Sequence, residues 1–251
     1  MRLHRFYIAE KIGSQKELVI DSPELVNQIS RVFRLGAGDK VIVFDGSGND
    51  FECVIVHEAS LDKPRDKSPR GGGQLQLAVG AVRPSRYVPT KKVVLYQAVV
   101  KKDNFEWIVE KATELGVTDI VPVITERSEK KDLNMERLNK IAVEASEQCG
   151  RGDVPVVHSA RRGIAEVFAD SDSKYGSKSI NGIAFHIDGV ARPRLAEELG
   201  QPLALFIGPE GGWSPAELEM FHKQKIQICS LGKQVLRAET AVVVALSKVL
   251  M

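Results

Sequence analysis

The chain has 251 residues, 35 Lys+Arg against 33 Asp+Glu for a formal net charge of +2, 43% hydrophobic and 27% charged residues, with 21 Gly and 11 Pro. These proportions are those of a globular protein and exclude collagen-like, fibrous and disordered chains, while the length holds one large or two modest domains. Three well-separated cysteines, Cys53, Cys149 and Cys229, match no metal or redox spacing, so no metal is expected and a reducing, cytoplasmic setting is. No apolar run approaches the ~18 residues of a membrane span, and the opening MRLHRFYIAEKIG lacks the apolar core of a secretory signal.

From the N-terminus the pattern is mostly β. Ser22 to Leu35 carries Leu25, Val26, Ile29, Val32 and Phe33 at helical spacing, with Ser22 as cap and Pro23 at the first helical position. Lys40–Phe44 and Phe51–Val56 flank the turn-rich Asp45 to Asp50, which predicts a hairpin. One helix on a few strands makes a small barrel-like module. The segment Ala59 to Gln74, ASLDKPRDKSPRGGGQ, has no periodicity and reads as a domain linker or, less in keeping with its composition, a long hairpin loop.

Beyond it, strand patterns at 74–82, 93–100, 117–124, 154–158, 182–187, 203–207 and 226–230 are interspersed with helical ones. Asp103 to Leu115 places Phe105, Ile108, Val109, Ala112 and Leu115 on one face and stops at Gly116; Asn134 to Cys149 does the same and stops at Gly150. Such alternation predicts a parallel sheet covered by helices.

Two segments near the C-terminus carry the chemistry. The apolar Leu203–Ile207 runs into Gly208-Pro-Glu-Gly-Gly-Trp-Ser-Pro-Ala-Glu217, where Ser214, Pro215 and Glu217 make a capping box. Glycines at 208, 211 and 212 allow close approach of backbone to a ligand, more than a plain strand-to-helix turn requires. Gly212, just before the cap, is expected at a crowded approach where a side chain would clash and at a φ that calls for glycine. The loop matches neither the P-loop nor the dinucleotide fingerprint. One strand later comes Leu231-Gly-Lys-Gln-Val-Leu-Arg-Ala-Glu-Thr-Ala241, leading into the apolar Ala241–Leu250, a helix that is either buried or a subunit interface. Glu239 and Thr240 read from the residues alone as caps of that helix and Arg237 as a solvated charge. From Lys63 to Lys102 there are ten basic residues and one acid, a stretch suited equally to a soluble loop or to guiding a polyanion.

GPEGGWSPAE and LGKQVLRAETA, in that order, resemble the signature of the RsmE family of ribosomal RNA methyltransferases, of the SPOUT class. Arg31-Val-Phe-Arg-Leu35, Val43-Phe-Asp-Gly46, Lys111 to Val117, Thr125-Glu-Arg127 and Glu147-Gln-Cys-Gly-Arg151 match as well, so the resemblance spans the chain. Gln28 stands where the family often has His, Ala238 where it often has Thr, and Leu138 where a Trp is typical.

The resemblance implies a PUA-like RNA-binding β-barrel domain over residues 1–72 and a trefoil-knotted α/β SPOUT domain over 73–251. It implies S-adenosyl-L-methionine as cofactor, held by Ile207, Gly208, Gly211, Gly212, Leu231, Gly232, Leu236, Thr240 and Ala241. The methyl group would go to N3 of a uridine in small-subunit (16S) ribosomal RNA. That nitrogen is a poor nucleophile while protonated, so Glu210 and Glu239 are candidates for proton acceptance and Arg127 and Arg237 for stabilising the uracil oxyanion. RNA contact is expected at Arg2, Arg5, Arg31, Arg34, Arg83 and Arg86, and a homodimer at the final helix. The alternatives are a SPOUT enzyme acting on another RNA and a non-catalytic RNA-binding protein.

Overall fold

A computed structural model describes residues 3–58, 73–129, 132–169, 181–190 and 202–251. The chain divides into two units, Met1–Val88 with Glu147–Asp153, and Pro89–Ser146 with Val154–Met251.

In the first unit the hairpin forms where expected, as β3 (Lys40–Phe44) and β4 (Asn49–Glu58). Its turn is held by Asp45, whose carboxylate accepts from the backbone N–H of Ser47 and of Ile12. Together with β1 (Arg5–Tyr7), β2 (Glu17–Ile20) and β5 (Leu75–Pro84), the hairpin builds a five-stranded sheet of order β1-β3-β4-β5-β2. Phe51, Cys53 and Ile55 alternate inward along β4 and meet Phe6, Val41, Val43, Leu75 and Leu77 in one core. The helix capped by Ser22 is shorter than its apolar spacing suggests: α1 (Pro23–Asn27) passes into a π-helical turn, Gln28–Val32.

Two expectations about domain limits are corrected. β5, read as the first strand of the alternating domain, instead pairs antiparallel with β4, Glu58 standing opposite Leu75. The segment 59–74 therefore joins neighbouring strands of one sheet, and the boundary moves from residue 72 to Val88. A composition break marks a change in the chain; it does not say which elements that stretch connects. Most of that segment, with Lys63, Arg65, Lys67 and Arg70, lies outside the described residues. Second, Glu147–Asp153 belongs to the first unit. There Arg151 is fully buried and makes a two-pronged bond to Asp153, Arg5 donates to Asp50 and to the Arg151 carbonyl, and Ser85 donates to Asp50.

The second unit is a six-stranded parallel sheet of order β11-β9-β10-β6-β7-β8. Its strands are β6 (Val93–Ala98), β7 (Asp119–Val123), β8 (Val156–Val157), β9 (Gly182–Val190), β10 (Leu203–Ile207) and β11 (Gln227–Cys229). The inner strands β6, β7 and β10 are buried along their whole length, because helices cover both faces and leave no polar side to alternate with. One face packs α2 (Lys102–Leu115), α3 (Met135–Cys149) and α6 (Ala238–Leu250); the other packs α4 (Ile164–Ala169) and α5 (Pro215–Lys223) around Trp213, Phe206 and Phe221. Gly116 ends α2 in the left-handed region at φ 100°, as its position predicts.

The last helix starts three residues earlier than its apolar run suggests. Arg237 is its N-cap and no side chain closes the cap, so Glu239 and Thr240 lie in the first turn rather than capping it. Val242, Ala245, Leu246 and Val249 enter the core, while Val243, Val244 and Ser247 are half-buried.

Candidate active site

Three chain segments end at the carboxyl edge of the parallel sheet and enclose a cavity of about 260 Å³. β9 supplies Phe185 to Ile187, the β10–α5 loop supplies Ile207 to Gly212, and the β11–α6 loop supplies Ser230, Leu231 and Gln234 to Leu236. Ala238 and Ala241 of α6 complete the wall. In open α/β sheets this edge is where ligands bind, because strands stop there and loops diverge.

The β10–α5 loop is fixed from several sides. Its exit is closed by the expected capping box: Glu217 donates its N–H to the Ser214 hydroxyl and accepts from Ser214 N. Trp213, buried to 2% exposure, donates its indole N–H to the carbonyl of Phe185 at 3.0 Å and packs edge-on against Phe221. A Cβ on Gly208 would stand 3.3 Å from that indole. The turn after β7 braces the loop further. Glu126 N donates to the second carboxylate oxygen of Glu217, and Arg127 Nη1 donates to the carbonyls of Gly211 at 2.8 Å and Trp213 at 3.3 Å. The Arg127 stem lies so close that a Cβ on Gly211 would be 3.3 Å from the Arg127 Cβ. Gly212 adopts φ +68°, and a Cβ there would meet nothing within 4 Å. The crowding expected at Gly212 thus belongs to Gly211 and Gly208; Gly212 is needed for its backbone conformation.

One carboxylate lines the cavity, and a second lies between the lining residues Ala238 and Ala241 in the first turn of α6. Glu210 is exposed on the cavity wall and makes no hydrogen bond among the described residues. Glu239 is half-buried, and its Oε2 is shielded from solvent without a partner. Burial pushes the nearby Cys229 thiol up, keeping it protonated. Among the described residues no group of three His, Cys, Asp or Glu could hold a metal ion.

A family model described as an RNA methyltransferase domain matches residues 87–250, and one described as an RNA methyltransferase PUA domain matches residues 29–62. Ribosomal RNA small subunit methyltransferase E of Bacillus subtilis is 32% identical, covering 90% of this chain and 87% of the relative. The protein of the same name from Rickettsia conorii is 27% identical over 99% of this chain and 96% of its own. A Legionella pneumophila protein solved in complex with the bound cofactor SAM superposes with a TM-score of 0.81 at 26% identity, covering 98% and 96% of the two chains. The chain belongs to the RsmE family.

Both RsmE signature segments meet in the one cavity. Of the residues expected to hold a cofactor, Ile207, Gly208, Gly211, Gly212, Leu231, Leu236 and Ala241 line it; Gly232 and Thr240 do not. The stretch Phe185 to Ile187 was not expected to take part, since its apolar run reads as an ordinary strand. Of the residues expected to act on the base, Glu210 lines the cavity, Glu239 and Arg237 flank it in sequence, and Arg127 holds the lining residue Gly211 without itself lining the cavity. Among the arginines expected to meet RNA, Arg31, Arg34, Arg83 and Arg86 are exposed. Arg5 is a correction: it is 8% exposed and its guanidinium is taken up by Asp50 and the Arg151 carbonyl. Arg2 lies outside the described residues.

Proposed function

We propose that this chain is an S-adenosylmethionine-dependent methyltransferase that modifies N3 of a uridine in small-subunit ribosomal RNA. The observation that carries the reading is the union of both signature loops in one cavity at the carboxyl edge of a parallel sheet. The residues there suit the cofactor. Ile207, Leu231, Leu236 and Ala241 offer an apolar cleft for a flat purine, and open space at the left-handed Gly212 leaves its backbone accessible. When bound, the cofactor supplies an electrophilic methyl group on a sulfonium.

The chain's own residues would do the rest. Glu210, exposed on the wall with an unspent carboxylate, accepts the imide proton of N3. Arg237, exposed at the cap of α6, stabilises the oxyanion that the uracil ring then carries. Glu239, in the first turn of α6, complements the helix dipole with its negative charge and fixes the local field. Arg127 holds the loop in place. Arg31 and Arg34, flanking the exposed Phe33, offer phosphate contacts beside an aromatic face on which an unpaired base stacks.

The same reading includes a trefoil knot through the β10–α5 and β11–α6 loops, and a homodimer through α6, whose half-buried Val243 and Val244 want apolar cover. A ribosomal RNA substrate places the reaction in the cytoplasm. The test is transfer of labelled methyl from S-adenosylmethionine to small-subunit RNA of a deletion strain, followed by mass mapping. A single N3-methyluridine is expected. No transfer despite cofactor binding by calorimetry would reject the substrate, and no binding would reject the enzyme.

A further inference from the structure

A second, larger cavity, about 550 Å³, opens in the same unit on the other side of the turn that braces the cofactor loop. It is built from the chain beyond the ends of β7 and β8 and from the starts of α4 and α5. Its volume falls in the range of about 300–1,000 Å³ that takes small molecules.

The lining is bipolar. Ile124, Ile164 and Met220 make an apolar floor, and a thioether in such a floor sits well against a flat ring. At the rim stand two exposed groups of opposite charge. The Glu126 carboxylate and the Arg162 guanidinium each make no hydrogen bond or ion pair within the described residues. Glu217 also lines the cavity, but both of its oxygens are engaged, by Glu126 N and Ser214 N. The α5 N-terminus is closed by its own capping box, so it offers no anion hole. A simple anion therefore fits poorly, since two carboxylates face it. A ligand with a ring, a pair of adjacent N–H donors and a separate anionic group fits every part.

We propose that this cavity is a subsite for a second nucleotide of the RNA, distinct from the one methylated. Its guanine base lies on the Met220 floor, donates N1–H and N2–H to Glu126, and its phosphate meets Arg162. The proposal rests on the reading of the chain as an RNA methyltransferase. It also gives the turn at Thr125 to Ser128 a second task. Glu126 would touch RNA while its own N–H, and Arg127 beside it, hold the cofactor loop, so occupancy of the subsite stiffens the wall of the first cavity.

The chain has four methionines, and Met220 alone lines this cavity, so ¹³C-methyl labelling gives a local probe. Guanosine monophosphate titrated into the full protein is expected to shift the Met220 methyl at millimolar concentration, uridine monophosphate to shift it several-fold less, and inorganic phosphate not at all. Ala165→Trp, at an exposed position on the wall, is expected to abolish the shift, and Ala169→Trp on the same helix outside it to preserve it. In the transfer assay Ala165→Trp and Arg162→Glu should each raise KM for RNA about tenfold, with cofactor affinity within twofold of the parent. No Met220 shift, an equal shift with phosphate alone, or an unchanged KM in an active enzyme would each overturn the subsite. An inactive parent that still shows the Met220 shift would instead count against the uridine reading.

Discussion

Replacing Arg127 by alanine separates two jobs that this residue has been given. One is to stabilise charge on the substrate; the other is to hold the loop that walls the cavity proposed for the cofactor. The geometry favours the second. Nη1 is already spent on the carbonyls of Gly211 and Trp213, and the aliphatic stem lies against Gly211. A hydrogen bond from a charged donor is worth about 1.5–3 kcal/mol when shielded. Arg127 is exposed and its second bond is long, so the pair together is worth ~1–2 kcal/mol. If that energy orders the loop for cofactor binding, Arg127→Ala weakens S-adenosylmethionine affinity about 5- to 30-fold, at ~1.4 kcal/mol per tenfold. Because the side chain is at the surface, the unfolding midpoint should move by only a few degrees, on the order expected for ~1 kcal/mol. Calorimetry without RNA reads the binding directly. Arg127→Lys should restore part of it, since one ammonium reaches one carbonyl but cannot reproduce the planar fork. The reasoning is refuted if Arg127→Ala binds cofactor as the parent does while the rate of methyl transfer collapses; the guanidinium would then be acting on the base.

Three further perturbations follow from the same structure. At Gly212, φ +68° with open space around the missing Cβ makes Gly212→Val costly by about 1–3 kcal/mol of backbone strain, whereas Gly212→Asn, which tolerates the left-handed region, should retain most cofactor affinity in the same titration. Removing a partner from a buried ion pair costs about 3–5 kcal/mol, and somewhat less where one partner is partly exposed, so Arg151→Met, which removes the fully buried guanidinium from its half-buried partner Asp153 while leaving the residue 151 backbone carbonyl to Arg5, should lower the urea midpoint more than any loop variant. Burial opposes ionisation of Asp45, yet bonds from Ser47 and Ile12 and the charge of Lys11 outweigh it and hold its carboxyl below the usual range. Its contribution is present above the unfolded-state pKa and is lost as pH falls through the lowered folded value, so Asp45→Asn should flatten the acid limb of the stability profile, measured by denaturant unfolding from neutral pH downward.

What the sequence disclosed and what it hid divide along the distance between interacting residues. The capping box at Ser214 and Glu217, the glycine stop at Gly116 and the β3–β4 turn are local devices, written within four to six positions, and each stands where it was expected. The α2 and α3 faces were legible for the same reason, since a 3.6-residue period needs no knowledge of the partner. Phe185 to Ile187 could not be recognised as a wall of the cavity, because a buried parallel strand is apolar whether or not its end meets a ligand. Arg127 reaches carbonyls more than eighty positions away, and Arg5 reaches Arg151 across 146; such pairings leave no periodic trace. Arg5 was accordingly expected at RNA rather than in the interior, and at Gly212 the expected φ is present while the expected crowding falls on Gly208 and Gly211.

The membership of Glu147–Asp153 in the first unit bears on the order in which the protein comes into being. As the chain emerges during synthesis, its opening 88 residues hold every strand of the first sheet but not the buried arginine whose carbonyl accepts from Arg5. Arg5 and Asp50 must wait for some sixty further residues before Arg151 and Asp153 arrive, and by then β6, α2 and β7 have already been made. A nascent first unit is thus an unfinished one, contrary to the usual sequence in which an N-terminal domain completes itself before the next begins. The same dependence limits inheritance. A duplication or fusion cut at residue 88 would carry the sheet without Arg151 and Asp153, so this first unit is not a cassette that recombination can lift out at that cut. It travels with the catalytic unit or not at all.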